Sequence, residues 1–130
     1  REVGPLTLAF ADVVHPVPTV AVAIDDGRHR IVVSGDTAAS EGLVELARGA
    51  DLLVCEATWT GRADEHPPGI HLTAEGAGAI AHEAGVARLV LTHLAGATDR
   101  ARALAEARAA FAGPVTLAED LATYAVGASD

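Results

Sequence analysis

Three short segments hold the side chains most able to do chemistry: Val14-His15-Pro16, Ser34-Gly35-Asp36-Thr37 and Leu91-Thr92-His93-Leu94. Each follows an apolar run, so His15, Asp36 and His93 are expected at strand ends. Two imidazoles and a carboxylate form a donor set for a transition metal, Zn²⁺ first, with Mn²⁺ or Fe as alternatives. Each residue also has a plainer reading. His15 could stabilise the turn before Pro16, and Gly35-Asp36-Thr37 suits an Asx-turn. His93 could be a hydrogen-bonded residue ending a buried strand.

The surrounding pattern supplies the elements that would position these groups. Leu6 to Val14 reads as a strand, and Thr19 to Ile24, rich in Val, as a second. Asp25-Asp26-Gly27 marks a turn before Arg30-Ile31-Val32-Val33, which makes a hairpin. Ser40 is placed to cap a helix from Glu41 to Arg48, with Gly49 at its end. Asp51 to Cys55 reads as a short buried strand, expected to be covered on both faces. A loop holding Gly61, Pro67, Pro68 and Gly69 follows. Thr73 then caps a helix to Ala84, closed by Gly85. Arg88 to Thr92 is a further strand. A last helix begins at Thr98-Asp99, with Ala97, Ala101, Leu104, Ala107 and Phe111 as its apolar stripe. Gly113-Pro114 stops it before a short strand at Val115 to Leu117. The tail beyond Gly127 is expected to fray. A hairpin meander followed by alternating helices and strands fits an α/β fold, in three layers with helices outside and sheets inside.

The chain has 130 residues, half of them apolar, and can build one modest domain with a core of Val, Leu, Ile and Ala. Its net charge of −9 disfavours a broad phosphate-backbone surface, because polyanion binding draws on a basic face. Divalent cations would offset that charge locally and suit a small anionic substrate. Cys55, the only cysteine, cannot form an internal disulfide, which points to a reducing cytoplasm. It reads as a small buried hydrophobe. No apolar run approaches the ~20 residues that cross a bilayer, and no signal peptide is visible, so a cytoplasmic location without membrane contact is expected. His29, His66 and His82 read as solvated. Trp59 is expected either over the mouth of a site or in the core.

In order along the chain, His15, Ser34-Gly35-Asp36-Thr37, Cys55-Glu56-Ala57-Thr58, His71-Leu72-Thr73, the helix behind it and Thr92-His93-Leu94 resemble the second half of a metallo-β-lactamase-fold hydrolase. The similarity runs from about Leu6 to Leu117 and is to the ribonuclease Z-like branch, which includes bacterial cyclic-nucleotide phosphodiesterases. The resemblance implies a four-layer αββα fold, of which residues 1–130 are the C-terminal half. It implies two divalent metal ions, with Asp36 bridging them and His15 and His93 each completing one. Such a pair acidifies a water and clamps the oxygens of a displacement at phosphorus. Among the catalytic residues it implies Glu56, orienting an imidazole from behind, and His71, donating to the phosphate or protonating the leaving oxygen.

The departures from the family carry equal information. The His-x-His-x-Asp-His string that supplies most metal ligands does not occur in these residues. With His15, Asp36 and His93 alone each metal would keep about two protein ligands, against the three or four of a tight site. The expectation is a site completed by an N-terminal half-domain or by self-association, and a chain that is catalytically poor alone. Cys55 stands where ribonuclease Z has a histidine. After His15 the family often shows an aromatic residue, then Gly, then a residue such as Arg; here Val20, Ala21 and Ala23 occupy those places. These changes, with the acidic charge, favour a small phosphodiester such as a cyclic nucleotide over RNA. Precursor tRNA is the alternative substrate, and a non-catalytic binding or assembly module the alternative role.

Overall fold

In the computed structural model, which describes residues 1–127, turn chemistry builds the first half of the sheet. The Asp25 carboxylate accepts from the Gly27 amide at 2.7 Å, and the Asp26 carboxylate from Arg28 and His29 at 2.8 and 2.7 Å. These bonds close the hairpin between β3 (Val20–Asp25) and β4 (Arg30–Val33). β1 (Glu2–Val3) and β2 (Leu6–Asp12) extend it as an antiparallel meander. The expected fraying beyond Gly127 concerns residues outside the described range.

Helix signals build the second half. Ser40, Thr73 and Asp99 accept from the amides of Leu43, Gly76 and Arg102 and so open α1 (Glu41–Ala47), α2 (Ala74–Ala84) and α3 (Arg100–Ala110). Gly85 ends α2 in the left-handed region, at φ 65°. Between the helices run β5 (Leu52–Glu56), β6 (Leu89–Thr92) and β7 (Val115–Leu117), parallel to β4 and to one another. Among the described residues the strands form one seven-stranded sheet in sequence order. The chain is α/β, as the sequence predicts. No helix among these residues is long and apolar enough to cross a membrane.

Two expectations are corrected. The helices cover one face of the mixed sheet, so the described chain is a two-layer βα unit, as one half of the αββα fold would be, rather than the three layers read from the element order. Ala21, Ala23, Val32, Leu53, Cys55, Leu89, Leu91 and Val115 point into the core with the helices. Their alternate neighbours Val22, Ile24, Ile31, Val33 and Val54 face the other way and stay partly exposed. β5 therefore has helices on one side only, although Leu52 is 4% exposed on the other. The second correction concerns α3: Ala97 precedes it and Ala101 is exposed, while Ala103 and Ala107 are buried. In an alanine-rich helix the neighbour chooses the face. A Cβ at Gly78 of α2 would lie 2.6 Å from the Ala107 carbonyl oxygen and 3.0 Å from Ala110 Cβ, so the missing side chain lets the two helices touch there.

Candidate metal centre

The chemically able residues gather where β4, β5 and β6 end, the edge at which open α/β sheets bind ligands. His15 follows β2 on the same edge. The loops are cross-tied by buried hydroxyls. Thr37 Oγ1 accepts from the Val14 amide at 3.1 Å, fixing the His15 segment to the Asp36 loop. Ser34 Oγ accepts from the Glu56 amide at 3.0 Å. Gly35 has φ 62°, and a Cβ there would lie 3.0 Å from the Val20 carbonyl oxygen. The Gly before Asp36 thus meets both a conformational and a steric demand.

Three imidazoles line up across this edge. Ring centroids are 5.3 Å apart for His15 and His71 and 5.2 Å for His71 and His93. His15 Nδ1 lies 2.8 Å from the Ile70 carbonyl oxygen, which can only accept, so this nitrogen carries the proton. His71 Nδ1 lies 2.7 Å from Glu56 Oε1. With Nδ1 tied back in both rings, Nε2 is the nitrogen left for an outside partner, the arrangement typical of imidazoles that hold metals. His93 Nε2 is 3.8 Å from Asp36 Oδ1, with both side chains close to half exposed. His93 also has φ 58°, a strained setting for a residue with a side chain, though histidine is among those enriched there.

Glu56 is the hub beneath them and is 1% exposed. Its Oε1 accepts from the Thr37 amide at 2.7 Å and from His71. Its Oε2 accepts from Thr58 Oγ1 at 2.8 Å and from the amides of Leu72 and Thr58 at 3.1 and 3.3 Å. Glu56, His71 and His93 offer ligand atoms within 4.8 Å of one another, which by distance alone could hold an ion. The hydrogen bonds decide otherwise for Glu56: both oxygens are already engaged, mostly by main-chain donors with no other partner. Glu56 thus holds His71 and the surrounding loops in place, the orienting position expected for it from the sequence. Asp36, with His93 Nε2 at 3.8 Å, and the imidazoles of His15 and His71 beside them offer carboxylate and imidazole donors, a chemistry that fits divalent metal.

Sequence reasoning passed over three contributors. Thr37 and Thr58 are buried hydroxyls at strand ends, and that combination is itself a signal. His66 is half-buried rather than solvated. Its ring stacks on Trp59 at 4.6 Å, and its Nε2 bonds the Thr60 carbonyl oxygen at 2.8 Å. Trp59 in turn meets His71 at 5.3 Å with ring planes nearly perpendicular, so it walls the site.

Comparison with known proteins shows the family. The family model for the beta-lactamase superfamily domain matches residues 3–94, and the chain belongs to that superfamily. It is 43% identical over 113 residues to the uncharacterized protein Rv1339 of Mycobacterium tuberculosis, covering 86% of this chain and 41% of that one. Ribonuclease Z of Myxococcus xanthus is 42% identical over 119 residues, covering 89% of this chain and 38% of the enzyme. The crystal structure of the metallo-beta-lactamase fold protein YhfI from Bacillus subtilis superposes with a TM-score of 0.86 at 33% identity, over 92% of this chain and 49% of YhfI. The chain thus spans less than half the length of each of these relatives.

Proposed function

We propose that the protein is a metal-dependent hydrolase of phosphodiesters, acting on a small substrate such as a cyclic nucleotide. The observation that carries this reading is the row His15, His71 and His93 beside the open carboxylate of Asp36, with Nδ1 of His15 and His71 tied back to protein acceptors. His15, Asp36 and His93 are the residues that would hold two divalent ions, Zn²⁺ first. Such ions supply positive charge to the phosphoryl oxygens and acidify a water. His71 stands between the two ligating imidazoles, with its Nδ1 on Glu56 and its Nε2 left for an outside partner. In its doubly protonated form, with Nδ1–H on Glu56, it would donate its Nε2–H to the phosphate or to the leaving oxygen. The net charge of −9 supports a small substrate over a long polyanion.

The proposal includes a missing half. The sheet face opposite the helices carries Phe10 and Val20, exposed by 53% and 48%, and Val17 near them is 60% exposed. Large apolar side chains left exposed on one sheet face support an interface there. An N-terminal half-domain bearing a His-x-His-x-Asp-His string would cover it and bring the remaining ligands. The identity to ribonuclease Z of M. xanthus supports a second reading, tRNA 3′-end processing. The test gives the native-length protein, loaded with Zn²⁺ or Mn²⁺, a 3′,5′-cyclic nucleotide and a precursor tRNA side by side. Metal-dependent opening of the cyclic phosphodiester is expected. Cleavage of the tRNA alone would favour the second reading, and inertness toward both would leave a binding module.

A further inference from the structure

We propose that Thr58 is a positioning residue that sets which ring nitrogen of His93 is free to bind metal. His93 Nδ1 lies 2.9 Å from Thr58 Oγ1. A hydroxyl can donate or accept, so this contact alone leaves the tautomer open. The surroundings of Glu56 close the question. The amides of Thr37, Leu72 and Thr58 can only donate, and all three point at the Glu56 carboxyl group. A proton on Oε2 would stand against two of those amides, so Oε2 accepts and the Thr58 hydroxyl donates to it. The lone pairs of Thr58 Oγ1 are then what His93 meets. The neutral His93 ring then carries its proton on Nδ1, and Nε2, the atom 3.8 Å from Asp36, keeps its lone pair.

One buried carboxylate therefore orients two imidazoles, His71 directly and His93 through a hydroxyl relay. Thr58 is suited to this place. It is 7% exposed, and its main-chain carbonyl accepts from the Ala95 amide at 3.1 Å and from Thr98 Oγ1 at 3.0 Å. Those bonds hold the loop in which His93 takes its left-handed conformation. The relay rests on His93 being a metal ligand, but the tautomer itself is read without metal or substrate.

The experiment compares Thr58→Val, which keeps the shape and removes the hydroxyl, with Thr58→Ser, which keeps the hydroxyl, in the native-length protein. Long-range ¹H–¹⁵N correlation spectra of histidine-labelled, metal-free protein are recorded above the ordinary histidine titration range. They report the protonated nitrogen of each ring. The expected result is an Nδ1–H signature for His93 in wild type and in Thr58→Ser. Thr58→Val should lose that signature, while His15 and His71 keep theirs. Zn²⁺ affinity, measured by chelator competition, should fall by about 10- to 100-fold in Thr58→Val and return to near wild type in Thr58→Ser, the usual range for losing an outer partner of a ligating histidine. An unchanged His93 signature in Thr58→Val would overturn the relay. So would a change spread over all three rings in both variants, since that is the mark of a general structural role. If the substrate reading fails while the tautomer follows the hydroxyl, the relay stands and the proposed reaction falls.

Discussion

Replacing Glu56 by glutamine changes one oxygen for an amide nitrogen and almost nothing in size, which makes it a sharp test of the hub. If the amide nitrogen takes the Oε1 position, it confronts the Thr37 amide and His71. His71 can adapt by moving its proton, but the Thr37 amide cannot. If the nitrogen takes the Oε2 position, the Thr58 hydroxyl can turn to accept, but the amides of Leu72 and Thr58 are stranded. Either orientation leaves at least one buried main-chain donor unpaired. An unsatisfied buried donor costs about 1–3 kcal/mol, and each surviving bond to a neutral oxygen is weaker than one to a carboxylate. The expected loss is roughly 2–5 kcal/mol, toward the exceptional end for a single isosteric change. Urea unfolding of the native-length protein measures it as a lower midpoint with an unchanged slope. The exposed Glu45→Gln change, which removes only a surface pair with Arg48, serves as the control and should leave the midpoint in place. A Glu56→Gln midpoint equal to wild type would refute the hub, because it would mean that these donors find other partners.

His71→Ala should lower kcat by roughly 100-fold or more with the fold intact, as for other general acid–base groups, and unchanged steady-state turnover would assign His71 to structure. Burial pushes the Cys55 thiol up from 9.0 to about 12, ahead of the opposing Ser34 hydrogen bond. Cys55 should therefore resist alkylation at pH 8 until the protein is unfolded, and rapid native-state labelling would contradict its placement. The same shift has a stability consequence. The neutral thiol favours the folded state, and that contribution is complete below the unfolded-state value and lost as pH climbs from 9.0 toward 12. The 130-residue chain alone, with one sheet face open, should associate or aggregate in sedimentation at micromolar concentration, and a stable monomer would contradict the proposed missing half.

Local signals carried most of the elements. Caps at Ser40 and Thr73, the start at Thr98-Asp99 and the terminators Gly49 and Gly85 placed the helices to within a residue or two, because each is settled by bonds inside one short segment. Arg30–Val33 and Val115–Leu117 were legible as strands for the same reason. β1 was not, since two residues carry no periodicity and are held only by pairing with β2. The buried face of α3 was read correctly at Leu104, Ala107 and Phe111 but not at Ala97 and Ala101, because alanines on every side give little contrast and Gly78 on another helix makes the choice. The layer count was misread because an apolar run such as Leu52 to Cys55 does not say whether its second face is already covered. At the centre, His15, Asp36 and His93 were legible as strand-end donors. The Thr58–His93 bond and the His66–Trp59 stack were not, since the first joins residues 35 apart and the second folds a proline-rich loop back on itself.

The most direct test of the account is metal content. After dialysis against dilute Zn²⁺, elemental analysis of the native-length protein should find two ions per chain. Asp36→Ala should hold far less, because the proposed bridging carboxylate is gone, while its circular dichroism matches wild type. The isolated 130-residue chain should be substoichiometric under the same conditions. Two tightly held ions in Asp36→Ala, or in the isolated chain, would contradict the assignment of the site and of where its ligands come from.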